Sequence, residues 1–293
     1  MRWEDGRRSD NIDDRRDDGI GSNKKLPSIG SLMIIWPLIK PLLRTKFGWA
    51  LIAVGVGAYM MGINPLILLS GGSSTTTTTV KDKAKDEQNA QFISTVLAST
   101  EDIWKKRLRG YQEPIVVLYR GTTNSGCGTA KSQTGPFYCP ADQKVYLDLS
   151  FFDELSQIHN PPGDFAQAYI LAHEIGHHIQ NLQGILNKVH KAKQKWGEDS
   201  KKANALQVKV ELQADCYAGA WAYQAHKNFY ILEAGDVEEA LQAASAIGDD
   251  TLQRESGEMV RPDAFTHGSS AQRVAWFKKG FNSGNISDCD IFK

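Results

Sequence analysis

Net charge is the first thing this chain lacks. Lys and Arg together number 34, and Asp and Glu together also number 34. A formal charge of zero argues against a nucleic-acid binder working through bulk positive potential, so no nucleic-acid partner is expected. There is no internal repeat. Cysteine is scarce, with four in 293 residues. Apolar residues are nearly missing from residues 1 to about 30, where Arg2, Glu4, Asp5, Arg7, Arg8, Asp10, Asp13, Asp14, Arg15, Arg16, Asp17 and Asp18 crowd together. Such a stretch cannot build a core of its own, and disorder is the expectation.

Charge is absent altogether from Phe47 to Leu69. That run is long enough to span a bilayer. It is longer than a signal-peptide core, and its charged lead is too long for an n-region. Trp49 fits an interfacial belt. Ser31 to Leu43 is apolar but short and broken by Pro37 and Pro41, which suits an interfacial segment. Lys40, Arg44 and Lys46 precede the run, and an uncharged Gly/Ser/Thr stretch, Gly71 to Thr79, follows it. That bias puts the N-terminus in the cytoplasm and the rest outside. The organisation read from the chain is a charged arm with interfacial segment at 1–46, a single transmembrane helix at 47–70, a flexible linker at 71–85 and a folded domain at 86–293. A lipid bilayer is therefore one expected partner. The oligomeric state is not legible.

Within the domain, Asp86 to Lys106 has helical spacing, Pro114–Tyr119 and Lys144–Leu149 read as strands, and the Gly/Ser/Thr-rich Gly121 to Pro140 lies between them. Long helices follow near 201–227, from Asp236 to Ala246, and from Ser269 or Ser270 to about Phe281. This is an α+β domain, mainly helical with a small sheet.

One helix carries chemistry. Asp164 is a candidate N-cap and Gly184 a candidate C′ residue. Between them runs His173-Glu174-Ile-Gly-His177. Four residues turn a helix by about 400°, so the two imidazoles leave one face a turn apart and can grip one tetrahedral Zn²⁺. Glu174, beside the first ligand, can take a proton from the attacking water. His178 lies about 100° away and reads as a structural histidine. Gly176 permits close approach of another helix.

Two histidines are half a site. Glu211, on the next helix, is the candidate third ligand. Asp215 shares its face one turn on and can accept the distal N–H of His173, fixing the tautomer. A Cys ligand from Cys127 or Cys139 is the alternative. The four cysteines allow three pairings. Cys127 and Cys139 bracket a short Gly-rich loop, which leaves Cys216 with Cys289. Extracytoplasmic thiols are expected to be oxidised in these two pairs.

Gly135 to Asp153, His173 to Asn181, Glu211 to Cys216 and Thr266 to Arg273 together resemble the putative neutral zinc metallopeptidase family of bacterial membrane-anchored proteins. The resemblance implies a zincin-like domain with His173, His177 and Glu211 on zinc. The function that follows is a peptidase of the bacterial inner membrane, its domain outside the cytoplasm, cleaving peptide or protein substrates with Glu174 as general base. For the oxyanion donor, His267 in its Thr-His-Gly-Ser loop is preferred over Tyr217, Tyr223 and His226. Lys144–Leu149 is the candidate edge for an extended substrate, and Asp148 an accessory carboxylate. The competing functions are a zinc-containing envelope scaffold and a zinc amidase acting on a non-peptide substrate.

Overall fold

The computed structural model describes residues 1–18, 83–131, 135–158 and 163–293. In chain order these form β1 (Ile12–Asp14), α1 (Lys83–Arg107), β2 (Ile115–Tyr119), β3 (Thr122–Ser125), β4 (Gly128–Lys131), β5 (Phe137–Cys139), β6 (Lys144–Asp148) and α2 (Leu149–Ile158). Then come α3 (Asp164–Leu182), α4 (Ile185–Trp196), α5 (Lys201–Phe229), α6 (Asp236–Ala246), α7 (Asp249–Glu255) and α8 (Ser270–Ser283), with 3₁₀ turns at Pro262–Ala264 and Ile286–Cys289. The domain is mostly helical with a small sheet, an α+β arrangement.

The main sheet has the order β1-β2-β6-β5, with β1, β2 and β6 parallel and β5 antiparallel at one edge. Alternation sorts its two faces. Val116, Leu118, Val145 and Leu147 enter the main core with the helices. Val117, Tyr119 and Tyr146 enter a smaller cluster with Ala130 of β4 and Cys139. The β3–β4 hairpin supplies this second cover, so part of the Gly121 to Pro140 stretch is strand rather than loop.

Residues 1–18, the described part of the charged start, are not a disordered arm. Residues 1–18 and 83–293 belong to one unit. Strand β1 pairs with β2, and Met1 and Trp3 are buried, Trp3 edge-on to Phe92 with centroids 5.5 Å apart. Its charges find partners on α1. Arg7 bridges Glu101 and Asp102, and Arg16 bridges Asp86 and Glu87. Too few apolar residues to build a core are still enough to join one, which is the reason the disorder expectation fails here.

The same packing overturns the single-pass topology. One crossing at 47–70 would put residues 1–18 and 83–293 on opposite sides of a bilayer, and their shared sheet excludes that. The candidate span itself and the linker up to residue 82 lie outside the described residues. No helix among the described residues is long and apolar enough to cross a membrane.

At the centre lies α3, buried on almost every side. It crosses α5 at Gly176, where a Cβ would stand 3.0 Å from the Ala214 Cα, so glycine lets the two helices approach this closely without crowding. Its N-terminus is arranged differently from expectation. Gly163 is the N-cap and Asp164 the first helical residue. The Asp164 carboxylate meets the Met1 ammonium at 3.0 Å, while Glu239 accepts from the Phe165 N–H at 3.2 Å. Gly184 is left-handed at φ 72° and ends the helix as its position suggests. Both expected disulfides are present, Cys127–Cys139 beside β5 and Cys216–Cys289 tying the C-terminal turn to α5.

Candidate metal centre and its cleft

Helical spacing brings His173 and His177 to one face of α3, their ring centroids 4.8 Å apart. Glu211 reaches them from α5. Its Oε2 stands 3.2 Å from His173 Nε2 and 3.4 Å from His177 Nε2. Four-coordinate zinc with bonds of about 2.0–2.1 Å needs neighbouring ligand atoms roughly 3.3 Å apart. The two separations to Glu211 match that spacing, and the ligand atoms of all three residues lie within 4.8 Å of one another. Their electrostatics agree. Burial opposes the charge on Glu211, but the two imidazoles outweigh it and hold the carboxyl well below its usual range. Two imidazoles and a buried carboxylate facing a common point form a donor set for a small dication.

Behind each of the three side chains stands a partner. Asp215 Oδ1 lies 2.8 Å from His173 Nδ1. A carboxylate only accepts, so Nδ1 carries the proton and Nε2, the atom facing Glu211, is the nitrogen that a neutral ring leaves for a metal. Burial works against the imidazolium form of His173, yet Asp215 overrides it and raises the group to about 9. The same Asp215 oxygen accepts from Tyr169 Oη at 2.6 Å and from Arg273 at 2.9 Å. His177 is backed differently. Its Nδ1 lies 2.9 Å from Gln180 Oε1, and the Gln180 amide donates to the Val210 carbonyl and to Gln213. Glu211 Oε1 accepts from Gln207 at 2.9 Å.

The site opens into a cleft of about 530 Å³, lined by His173, Glu174, His177, Glu211 and His267 together with the apolar Phe137, Phe151, Leu186 and Leu252. Glu174 borders it and is 7% exposed. The strand beside the cleft is β5, not the one expected. Lys144 to Asp148 forms β6, which is paired on both sides, whereas β5 is an edge strand of the sheet among the described residues and contributes Phe137 and Tyr138 to the wall. Asp148 is fully buried and accepts from the Gly121 and Ser150 N–H groups, a role in the chain turns around it.

Of the four proposed donors, His267 alone lines the cleft. Its Nδ1 is 3.1 Å from Asp249 Oδ1, and the Thr266, His267 and Gly268 N–H groups all donate to Asp249 Oδ2. The Asp249 hydrogen bond raises the His267 pKa. Tyr217 turns away to Gln183, Tyr223 packs on Phe281, and His226 packs on Tyr230. The cysteine-ligand alternative is removed, because all four cysteines are in disulfides. His178 has the structural role expected. Nε2 meets the Gln112 carbonyl at 2.7 Å and Nδ1 meets Tyr138 Oη at 3.1 Å, which ties α3 to β5.

Tyr169, Gln180, Gln207, Asp249 and Arg273 escaped the sequence reading. Three of them carried a signal. Tyr169 precedes His173 by one turn, Gln180 follows His177 by three residues, and Gln207 precedes Glu211 by one turn, so each shares a face with the residue it supports. Asp249 and Arg273 arrive through tertiary packing, and no spacing announces them.

The sequence model of the putative neutral zinc metallopeptidase family matches residues 1–292. The chain belongs to that family. The match includes the N-terminal residues that complete the sheet, as well as the helices that carry the site. The uncharacterized protein YpfJ of Escherichia coli (strain K12) is 44% identical over 297 residues, covering 100% of this chain and 99% of its own length. The uncharacterized protein Rv2575 of Mycobacterium tuberculosis (strain ATCC 25618 / H37Rv) is 41% identical over 204 residues, 66% of this chain and 67% of its own. No solved structure matches.

Proposed function

We propose that this protein is a zinc-dependent peptidase in which His173, His177 and Glu211 hold the metal. The observation that carries the reading is the convergence of these three side chains beside Glu174 in one cleft. Family membership supports the class of chemistry. Zinc bound there supplies Lewis acidity toward the scissile carbonyl and acidifies water to a pKa of about 7. Glu174 takes the proton of the attacking water and delivers it to the leaving amine. His267, held through Nδ1 by Asp249, keeps Nε2 for the developing oxyanion. Edge strand β5 pairs with an extended substrate, and Phe137, Phe151, Leu186 and Leu252 receive apolar side chains. The two disulfides support an extracytoplasmic site of action.

The test is hydrolysis of a peptide library by the full chain. A truncation beginning near residue 86 would remove β1, Met1 and Trp3 and is unsuitable. Glu174→Gln should retain zinc and lose turnover by about 10²–10⁴-fold, while His173→Ala should lose zinc. A fully active Glu174→Gln protein would overturn the mechanism. Zinc retention with no hydrolysis of any peptide by the wild type would favour the scaffold reading.

A further inference from the structure

We infer that Arg273 is a positioning residue of the metal centre, acting through Asp215 on His173. The inference rests on the reading of His173, His177 and Glu211 as metal ligands. Arg273 comes from α8, which no part of the His-Glu-x-x-His motif foretells. Its side chain is 2% exposed, yet it is not there to fill space. Nε donates to Asp215 Oδ2 at 2.9 Å and Nη2 to Asp215 Oδ1 at 2.9 Å, a two-point grip on both carboxylate oxygens. Nη2 also reaches Tyr169 Oη at 3.2 Å, and Nη1 reaches the Ile247 carbonyl at 3.3 Å.

The grip has a geometric consequence. A carboxylate held at one oxygen can rotate about its Cβ–Cγ bond, and one held at both by a planar fork cannot. Locked in this way, Asp215 presents Oδ1 to His173 Nδ1 in one orientation, and the ring presents Nε2 toward Glu211 in one orientation. Stability does not account for such an arrangement. Replacing a buried ion pair by apolar side chains of similar volume is often neutral or favourable. Lysine would keep the charge but not the fork. Arg273 also lies on the helix that follows His267 after a capping box at Ser269 and Gln272. The residues Thr266 to Arg273 thus deliver His267 to the cleft and Arg273 to the Asp215 carboxylate that backs His173.

The test is metal affinity, read without activity. Zinc dissociation constants are measured by chelator competition on the full chain, for wild type, Arg273→Lys, Arg273→Met and Ser269→Ala, with near-ultraviolet circular dichroism confirming the fold. Arg273→Met should weaken zinc roughly 10–100-fold, the range for loss of an outer partner, and Arg273→Lys should recover part of it. The visible spectrum of the cobalt-loaded protein should change in Arg273→Met. Ser269→Ala loosens the same helix at its cap and should leave both readouts unchanged. In the Asp215→Asn background, Arg273→Met should add little further loss. Wild-type zinc affinity in folded Arg273→Met, equal loss in Ser269→Ala, or additive losses with Asp215→Asn would each overturn the inference. A wild-type chain that binds neither ion overturns the metal reading itself.

Discussion

His173 and His177 stand one turn apart on the same helix and are held in opposite ways. His173 rests on a buried ion pair, Asp215 with Arg273, to which Tyr169 also donates. His177 rests on the neutral amide of Gln180, itself held by a carbonyl and a second glutamine. Both arrangements fix a tautomer. They differ in what happens when they break. Removing one member of a buried ion pair leaves the other charge uncompensated, whereas removing an amide leaves unsatisfied neutral groups. The His173 side is therefore the brittle half of the site, and the His177 side the tolerant half.

The largest test of that contrast is Asp215→Ala. It strands the Arg273 guanidinium and should destabilise the chain by about 3–5 kcal/mol in urea unfolding. A loss below about 1 kcal/mol would erase the asymmetry. Next comes pH in the metal-free protein. His173 is raised from 6.5 to about 9 in the fold. A raised histidine contributes stability in full below about 6.5, and the contribution is lost as pH rises toward about 9. The shift bounds the effect at roughly 3 kcal/mol. Zinc needs the neutral ring, so the loaded protein does not have this contribution. The Tm gap between zinc-loaded and zinc-free protein should widen from pH 6.5 to 9 in wild type, and this dependence should be strongly reduced in Asp215→Asn. A gap that narrows over that window would show that the Asp215–His173 pair does not behave as described.

Gln180→Leu probes the tolerant half. It should cost about 1–3 kcal/mol through the lost partners of His177 Nδ1 and Gln213, with a smaller fall in zinc affinity than Asp215→Ala. The reverse order of affinities would invert the comparison. Smallest is Ser269→Ala, expected to cost about 1 kcal/mol in thermal unfolding through the lost cap. A larger loss would mean that α8 depends on its cap more than on its packing against α5.

The contrast also separates what could be read from what could not. The motif helix, its left-handed stop at Gly184, the candidate third ligand Glu211 and both disulfide pairs follow from periodicity and residue chemistry. Gln180, Gln207 and Tyr169 were within reach of the same spacing argument. Helix α4 and the β3–β4 hairpin went unassigned, and β6 was placed at an edge that belongs to β5. Strand neighbours depend on pairings between distant segments, and composition does not specify them.

Residues 1–18 show the limit most plainly. Locally they are too polar to fold, and only the presence of β2 and α1 gives Ile12, Trp3 and the paired arginines somewhere to go.

By itself, then, the sequence determined which side chains share a face, His173 with His177 on α3 and Glu211 with Asp215 on α5, because a helix repeats every 3.6 residues and places i and i+4 together. Tertiary structure alone decided which strand edges the cleft, that the chain's start joins the sheet beyond it, and that Asp249 and Arg273 stand behind His267 and Asp215. Those contacts join residues far apart in the chain, Asp14 paired with Leu118, 104 positions away, among them. Burial, not local pattern, is what forces each such charge to find its partner.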